Sequence, residues 1–291
     1  MLQLLKRWNQ WLGQRMFFVV LSALLIGFNM PLERTPLLPQ LAIGLFAYMT
    51  FISALEISFR DFLKILARPW IPLWMLFLVH FGAPVVAWIV GWIFYPSDYL
   101  MRLGFMISSS IPVAVTSIIW TSLTGGNVAL ALVVVTLDTL VVPLLLPAIL
   151  LFIVGQAIPI DYGHMIIQLL FMVTIPSMIG MAINDLTQGK LKAFTETIGG
   201  FTSKLAMFFV ILINSAMVAP EITWSYAIIK LLLVLLLLVA LGYYLGYLGS
   251  FIIKERSNGI IQALIYNVGM RNISFGSLLS LAYFPPAVAV P

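Results

Sequence analysis

The sequence predicts an all-α, polytopic membrane protein made of two inverted five-helix repeats, with the fourth and ninth helices discontinuous. Three observations carry that prediction. Of 291 residues, 62% are hydrophobic and 9% charged, where a soluble domain has about a quarter charged residues. The apolar residues come in blocks of about 20, the length of a spanning helix, and not in the alternating stretches of about 10 that a β-barrel strand needs. Two blocks are broken by polar residues with proline or glycine, at Ser108-Ser109-Ser110-Ile111-Pro112 and at Asn267-Val268-Gly269-Met270-Arg271-Asn272. Interrupted helices at corresponding places in two halves mark the repeats of secondary transporters.

At the start of the chain, Leu2, Leu4, Leu5, Trp8, Trp11 and Leu12 share one helical face with Lys6, Arg7 and Gln10 off it. This reads either as an interfacial helix or as an extension of the first span. No small-residue cleavage pattern follows Arg15, so the start is read as uncleaved. Spans are expected at 16–30 and 38–58, then a connector at 59–69 whose Arg60, Lys64 and Arg68 repeat at the i, i+4 spacing of one helix face. The third span, 70–95, has Trp70, Trp74, Trp92 and Tyr95 near its ends as interfacial anchors. The fourth, 99–123, contains the first break, where Pro112 removes a helix hydrogen bond and the serines can satisfy freed carbonyls. The fifth, 127–154, carries Asp138 roughly 17 Å inside it at 1.5 Å per residue. The pattern restarts with spans at 165–183, 201–219, 224–253 and 259–284, and a polar connector is expected at 185–197.

With the N-terminus in the cytoplasm, eleven Lys and Arg fall on the inner side of these nine spans and three, Arg34, Arg102 and Lys230, on the outer. That bias places the chain in the inner cell membrane and explains the net charge of +5 as topology, not as a nucleic-acid surface. Spans three to five recur about 155 to 160 residues later. Five is odd, so the second copy enters from the opposite side, giving repeats at 1–160 and 161–291. Residues 285–291 read as the opening of a tenth span, missing or truncated in this sequence. Cysteine is absent, which excludes disulfides, thiolate metal sites and cysteine nucleophiles. An intramembrane aspartyl protease would need a second deep carboxylate, and no nucleophile elbow suits a serine protease.

The run from Ile111-Pro112 through Gly126-Asn127-Val128-Ala129-Leu130-Ala131-Leu132, with Pro143 and Pro147 after it, resembles the fourth and fifth spans of the bile acid:sodium symporter superfamily. So does Gly269-Met270-Arg271-Asn272 followed by Leu278-Leu279-Ser280-Leu281-Ala282-Tyr283-Phe284-Pro285-Pro286. The resemblance implies ten helices, a panel domain (16–58 and 163–219) and a core domain (70–154 and 224–291), with broken helices crossing where substrate and ions bind. It also implies sodium ligands, most of which are replaced here. Ser117 stands where a serine ligand is expected, but the expected asparagine is Ile118. The expected serine and threonine of the fifth span are Ala131 and Val135, unless a one-residue slip brings in Thr136. The expected glutamate and glutamine of the ninth span are Asn267 and Arg271.

Sodium is a hard cation that needs several oxygen ligands, and Arg271 adds a fixed like charge. Two such charges at 4 Å repel by about 4 kcal/mol even at an effective dielectric of 20. No metal site is therefore expected beyond the weak candidates Ser117 and Thr136, no cofactor is expected, and proton coupling stays open. Candidate substrate contacts are Arg271, Asn267, Asn272, Ser274, Thr116, Ser117 and Asn214, with Pro112 and Gly269 as the helix breaks. Asp138 is either the ion-pair partner of Arg271 or a proton carrier. His80 is read as a packing histidine. The expected activity is secondary transport of small organic anions by alternating access. The alternatives are a sodium-coupled organic anion symporter and a solute sensor that does not transport.

Overall fold

A computed structural model describes residues 2–30, 35, 37–59, 63, 69–154, 160–222, 225–285 and 288. Among them there is no strand, and twelve helices carry the architecture. They are α1 (Leu2–Gln14), α2 (Met16–Asn29), α3 (Leu37–Ala54), α4 (Trp70–Phe94), α5 (Tyr99–Ser110), α6 (Thr116–Leu123), α7 (Val128–Val154), α8 (Tyr162–Leu186), α9 (Lys192–Val218), α10 (Tyr226–Gly249), α11 (Asn258–Gly269) and α12 (Ile273–Tyr283). Six of the described helices are long and apolar enough to cross a membrane alone, and a seventh crossing follows if α1 and α2 are one span. The expected connector at 59–69 and the opening of a tenth span at 285–291 lie largely outside the described residues.

The chain separates into two compact units, 1–64 with 163–221, and 65–162 with 222–291. In the first, α9 packs on α2 and α3, and α8 packs on α3. Small residues let these backbones approach closely, as membrane helices require when apolar side chains gain nothing by leaving lipid. A Cβ at Gly27 would stand 2.6 Å from the Leu212 carbonyl, and one at Gly180 would stand 2.6 Å from the Ala54 Cβ. The chain bends by 75° between α1 and α2, so α1 is not an extension of the first span. It is tied down by Lys6 to Glu196 at 2.9 Å, by Asn9 Nδ2 donating to the Glu196 carbonyl at 2.9 Å, and by Lys204 Nζ donating to Asn9 Oδ1. The connector expected at 185–197 is shorter than its polarity suggests. Helix α8 runs to Leu186, Gln188 and Gly189 turn the chain at φ 54° and 74°, and α9 starts at Lys192.

In the second unit α10 lies along α11, α4 along α5, and α7 against α4, α6 and α11. Helix α4 widens into a π-helical turn at Leu78–Gly82, just before Pro84. Proline has no N–H for the carbonyl four residues back and its ring crowds that carbonyl, so a wider turn there relieves the clash. The same pairing recurs in α8, with a π turn at Leu170–Thr174 before Pro176.

Both broken helices are as the polar interruptions predict. Helix α5 stops at Ser110, Ile111 is extended at φ −67°, ψ 158°, and α6 starts at Thr116. Helix α11 stops at Gly269, Met270 is extended at φ −102°, ψ 127°, and Asn272 caps α12 by accepting from the Phe275 N–H at 3.3 Å. Gly269 is not there to reach positive φ. A Cβ on it would meet the Tyr243 ring at 2.4 Å, so it makes room for α10.

Gly27→Ala is expected to destabilise the protein by about 1–3 kcal/mol through overpacking. Gly44→Ala, which adds a methyl where nothing lies within 4 Å, leaves the unfolding midpoint unchanged or raises it; thermal unfolding of the two purified variants checks this.

Candidate functional site

The two extended breaks meet. Val113 and Arg271 form an isolated antiparallel bridge, in which the Ala114 N–H donates to the Met270 carbonyl at 3.2 Å and the Asn272 N–H donates to the Pro112 carbonyl at 2.8 Å. Backbone N–H and C=O groups away from water need partners, and non-helical chain at membrane depth is tolerated only where protein or a cavity supplies them. Here each break supplies them to the other. Ser110 and Ser108 add hydroxyl bonds to the Met106 and Phe105 carbonyls, at 2.7 and 3.0 Å.

Arg271 lies at this meeting point and is bonded to carbonyls. Its Nε donates to Ser109 at 2.9 Å, Nη1 to Val268 at 2.7 Å and Nη2 to Val79 at 3.5 Å. Ser109 and Val268 belong to the last turns of α5 and α11, where unpaired carbonyls and the helix dipoles favour a cation. Val79 lies in the π turn of α4. Three of the five guanidinium N–H groups are engaged in this way, which leaves two. Arg271 also lines a cavity of about 260 Å³, together with Ser108, Ser109, Tyr243, Met270 and apolar residues that include those of α4 and α10. Tyr243 continues into an aromatic row with Tyr266 and Trp120, at ring separations of 6.1 and 6.3 Å.

Asp138 acts on Arg271 through its charge, and its direct bonds go elsewhere. Its Oδ1 lies 2.5 Å from His80 Nε2 and its Oδ2 accepts the Val113 N–H at 2.5 Å. His80 Nδ1 lies 3.1 Å from the Ser110 carbonyl. The two side chains are each 1% exposed. His80 is therefore the partner of the buried carboxylate and not packing material, and both its nitrogens and both carboxylate oxygens are in use at the first break.

The other expected contacts divide. Asn267 and Ser117 are fully buried and bonded to each other, with Ser117 Oγ donating to Asn267 Oδ1 at 3.0 Å and Asn267 Nδ2 donating to the Ala263 carbonyl at 2.8 Å. They join α6 to α11 and do not face the cavity. Asn272 caps α12, while Thr116 and Ser274 are half-buried in the first turns of α6 and α12. Asn214 is buried on α9, in the other unit.

The two weak sodium candidates are each hydrogen-bonded within the protein. The Thr136 hydroxyl donates to its own helix at Leu132, 2.8 Å away, and the Ser117 hydroxyl is paired as described. The carbonyls that converge at the crossing already receive a guanidinium. Among the described residues no group of three or more His, Cys, Asp or Glu could hold a metal.

A family model described as "Sodium Bile acid symporter family" matches residues 42–226. The chain is 34% identical over 250 residues to "Uncharacterized protein YbaS" of Bacillus subtilis, covering 85% of this chain and 81% of the relative. It is 22% identical over 291 residues to that organism's "Uncharacterized sodium-dependent transporter YocS", covering 100% and 88%. It is 24% identical over 279 residues to the rice "Probable sodium/metabolite cotransporter BASS2, chloroplastic", covering 94% of this chain and 64% of the relative.

The buried Ser117–Asn267 bond is expected to give a coupling of about 1 kcal/mol in a double-mutant cycle of Ser117→Ala and Asn267→Ala. Unfolding of the four proteins in mixed detergent micelles measures it, and additive effects would show that the two side chains act separately.

Proposed function

This chain belongs to the sodium bile acid symporter family and is a multi-pass membrane transporter, and we propose that its cargo is a small organic anion, a carboxylate or sulfonate, moved by alternating access. The observation that carries this reading is the Arg271 guanidinium. It is fixed by three carbonyls and has two N–H groups left beside a cavity. A planar fork with a parallel pair of donors suits a carboxylate or sulfonate, and pre-bonding the other donors removes the rotamer freedom that binding would otherwise have to restrict. At about 260 Å³ the cavity lies below the roughly 300–1,000 Å³ of pockets for drug-sized ligands. That favours a compact anion over a steroid.

Transport in this reading does not use sodium. In place of a visiting cation the crossing has a permanent one, on carbonyls at the C-terminal ends of half-helices, where transporters coordinate sodium. The second reading is sodium-coupled anion symport. It is favoured by the names of two relatives, which are called sodium-dependent and sodium/metabolite transporters.

In liposomes, counterflow of labelled short-chain carboxylates and sulfonates is expected, and its rate stays the same when potassium replaces sodium. Clear sodium stimulation decides for the second reading, and binding without counterflow decides for a sensor. Arg271→Gln is expected to weaken binding of the exchanged anion about tenfold or more, about 1.4 kcal/mol, and Asn214→Ala much less. Thermal-shift titration compares the two, and equal affinities would make Arg271 a structural cation alone.

A further inference from the structure

We infer that His80 and Asp138 form a proton-binding site coupled to the anion site, so that one proton crosses with each monoanion; this rests on the anion reading above. The inference starts from a count of hydrogens. His80 Nδ1 faces the Ser110 carbonyl at 3.1 Å, and a carbonyl only accepts, so Nδ1 carries a hydrogen. Nε2 and Asp138 Oδ1 approach to 2.5 Å. A bare imidazole lone pair and a bare carboxylate oxygen repel, so that contact requires one more proton between them, whichever atom it is drawn on. The pair as it stands is the loaded form and is electrically neutral. When the shared proton leaves to water, the imidazole keeps its Nδ1 hydrogen, the carboxylate keeps its charge, and the pair becomes −1.

The surroundings turn that change into a change at the anion site. The outer bonds of the pair go to the first break, to the carbonyl of Ser110 and the N–H of Val113, and Val113 is the bridge partner of Arg271. Val79, which accepts from Arg271, is the neighbour of His80 in the π turn. Arg271 at the second break is the cation on which the charge of Asp138 acts, and the tyrosines of the elements around the pair are Tyr99 on α5, Tyr226, Tyr243, Tyr244 and Tyr247 on α10, and Tyr266 on α11. Arg102 on α5 and Lys230 on α10 are taken up at the other end of their helices, by the carbonyls of Tyr95 at 3.2 Å and Phe94 at 2.6 Å. Arg271 and the loaded pair therefore sum to +1, and Arg271 with the unloaded pair to zero. An anion binds the first state better, and by linkage the anion holds the proton more tightly. The two ligands load together and leave together, and the cycle moves no net charge for a monoanion.

The experiment uses full-length protein in liposomes with a lumenal pH dye and labelled methanesulfonate and isethionate, sulfonates that stay monoanionic and so do not leak as neutral acids. The expected result is uptake driven by an inward proton gradient, lumenal acidification accompanying it, and no response to a potassium-diffusion potential. Asp138→Asn and His80→Gln are expected to lose gradient-driven uptake at least tenfold; the amide at 138 holds the pair neutral, so counterflow outlasts that loss in Asp138→Asn, while the charge that glutamine at 80 leaves on Asp138 slows counterflow as well. Glutamine at 80 can still donate to the carboxylate, so a merely structural histidine would be rescued by it. Gradient-driven uptake that survives in either variant, or wild-type uptake without proton entry, overturns the inference and leaves the anion reading standing. If wild type exchanges none of the sulfonates, the cargo reading fails instead. The proton site is then judged by nitrogen NMR of ¹⁵N-histidine-labelled protein carrying His164→Asn. A His80 signal that changes protonation between roughly pH 5 and 9, and loses that change in Asp138→Asn, supports it; one that stays constant overturns it.

Discussion

The second unit depends on one short contact, the antiparallel bridge between Val113 and Arg271. Breaking a helix in a membrane strips several N–H and C=O groups of their partners, each at a cost of kcal/mol order. Breaking two helices where they cross lets the exposed groups answer one another, so neither break is tolerable without the other. The remaining orphans are met by side chains. The Val113 N–H goes to Asp138, the Ser110 carbonyl to His80, and the Ser109 and Val268 carbonyls to Arg271. The charged residues of the crossing are thus first of all the completion of a backbone account, and any ligand chemistry is built on groups already held in place.

This double duty fixes what Arg271 can offer. A lysine would bring one ammonium to the same carbonyls and have no second, coplanar pair of donors to present elsewhere. The guanidinium donates from all three of its nitrogens and still keeps two further N–H groups. Its half-buried setting at the wall of a small cavity is what the proposed anion contact rests on.

Much of this was readable from the sequence. The apolar blocks gave the helices, and Pro112 with its serines and Gly269 with Met270 and Arg271 marked both breaks to within a few residues, because the signals are local. The short turn at 187–191 was obscured, since polar residues from Asp185 to Thr197 look like loop but mostly sit on helix ends. The 75° bend at Arg15 was open to two readings for a similar reason: amphipathicity gives the face of α1 and not its direction. The Asp138 partner was a different failure. Arg271 attracted the assignment by charge, whereas depth favours histidine. His80 lies about 10 residues after the start of α4 and Asp138 about 10 after the start of α7, both roughly 15 Å in. In the nine-span topology both helices start from the same side of the membrane. Equal depth was a usable signal that charge complementarity overrode.

Why histidine and not arginine should hold the carboxylate follows from what each state costs. An Arg–Asp pair at the centre of the unit is permanently loaded, since a guanidinium does not give up its proton. It would leave the crossing neutral at all times, and the three carbonyls would lose their donor. Pairing Asp138 with His80 keeps Arg271 on the carbonyls and makes the pair's charge conditional on a shared proton. The two polar breaks, one fixed cation and one imidazole–carboxylate pair then form a single hydrogen-bonded set. Within it, the net charge seen from the cavity changes by one without any residue leaving the unit.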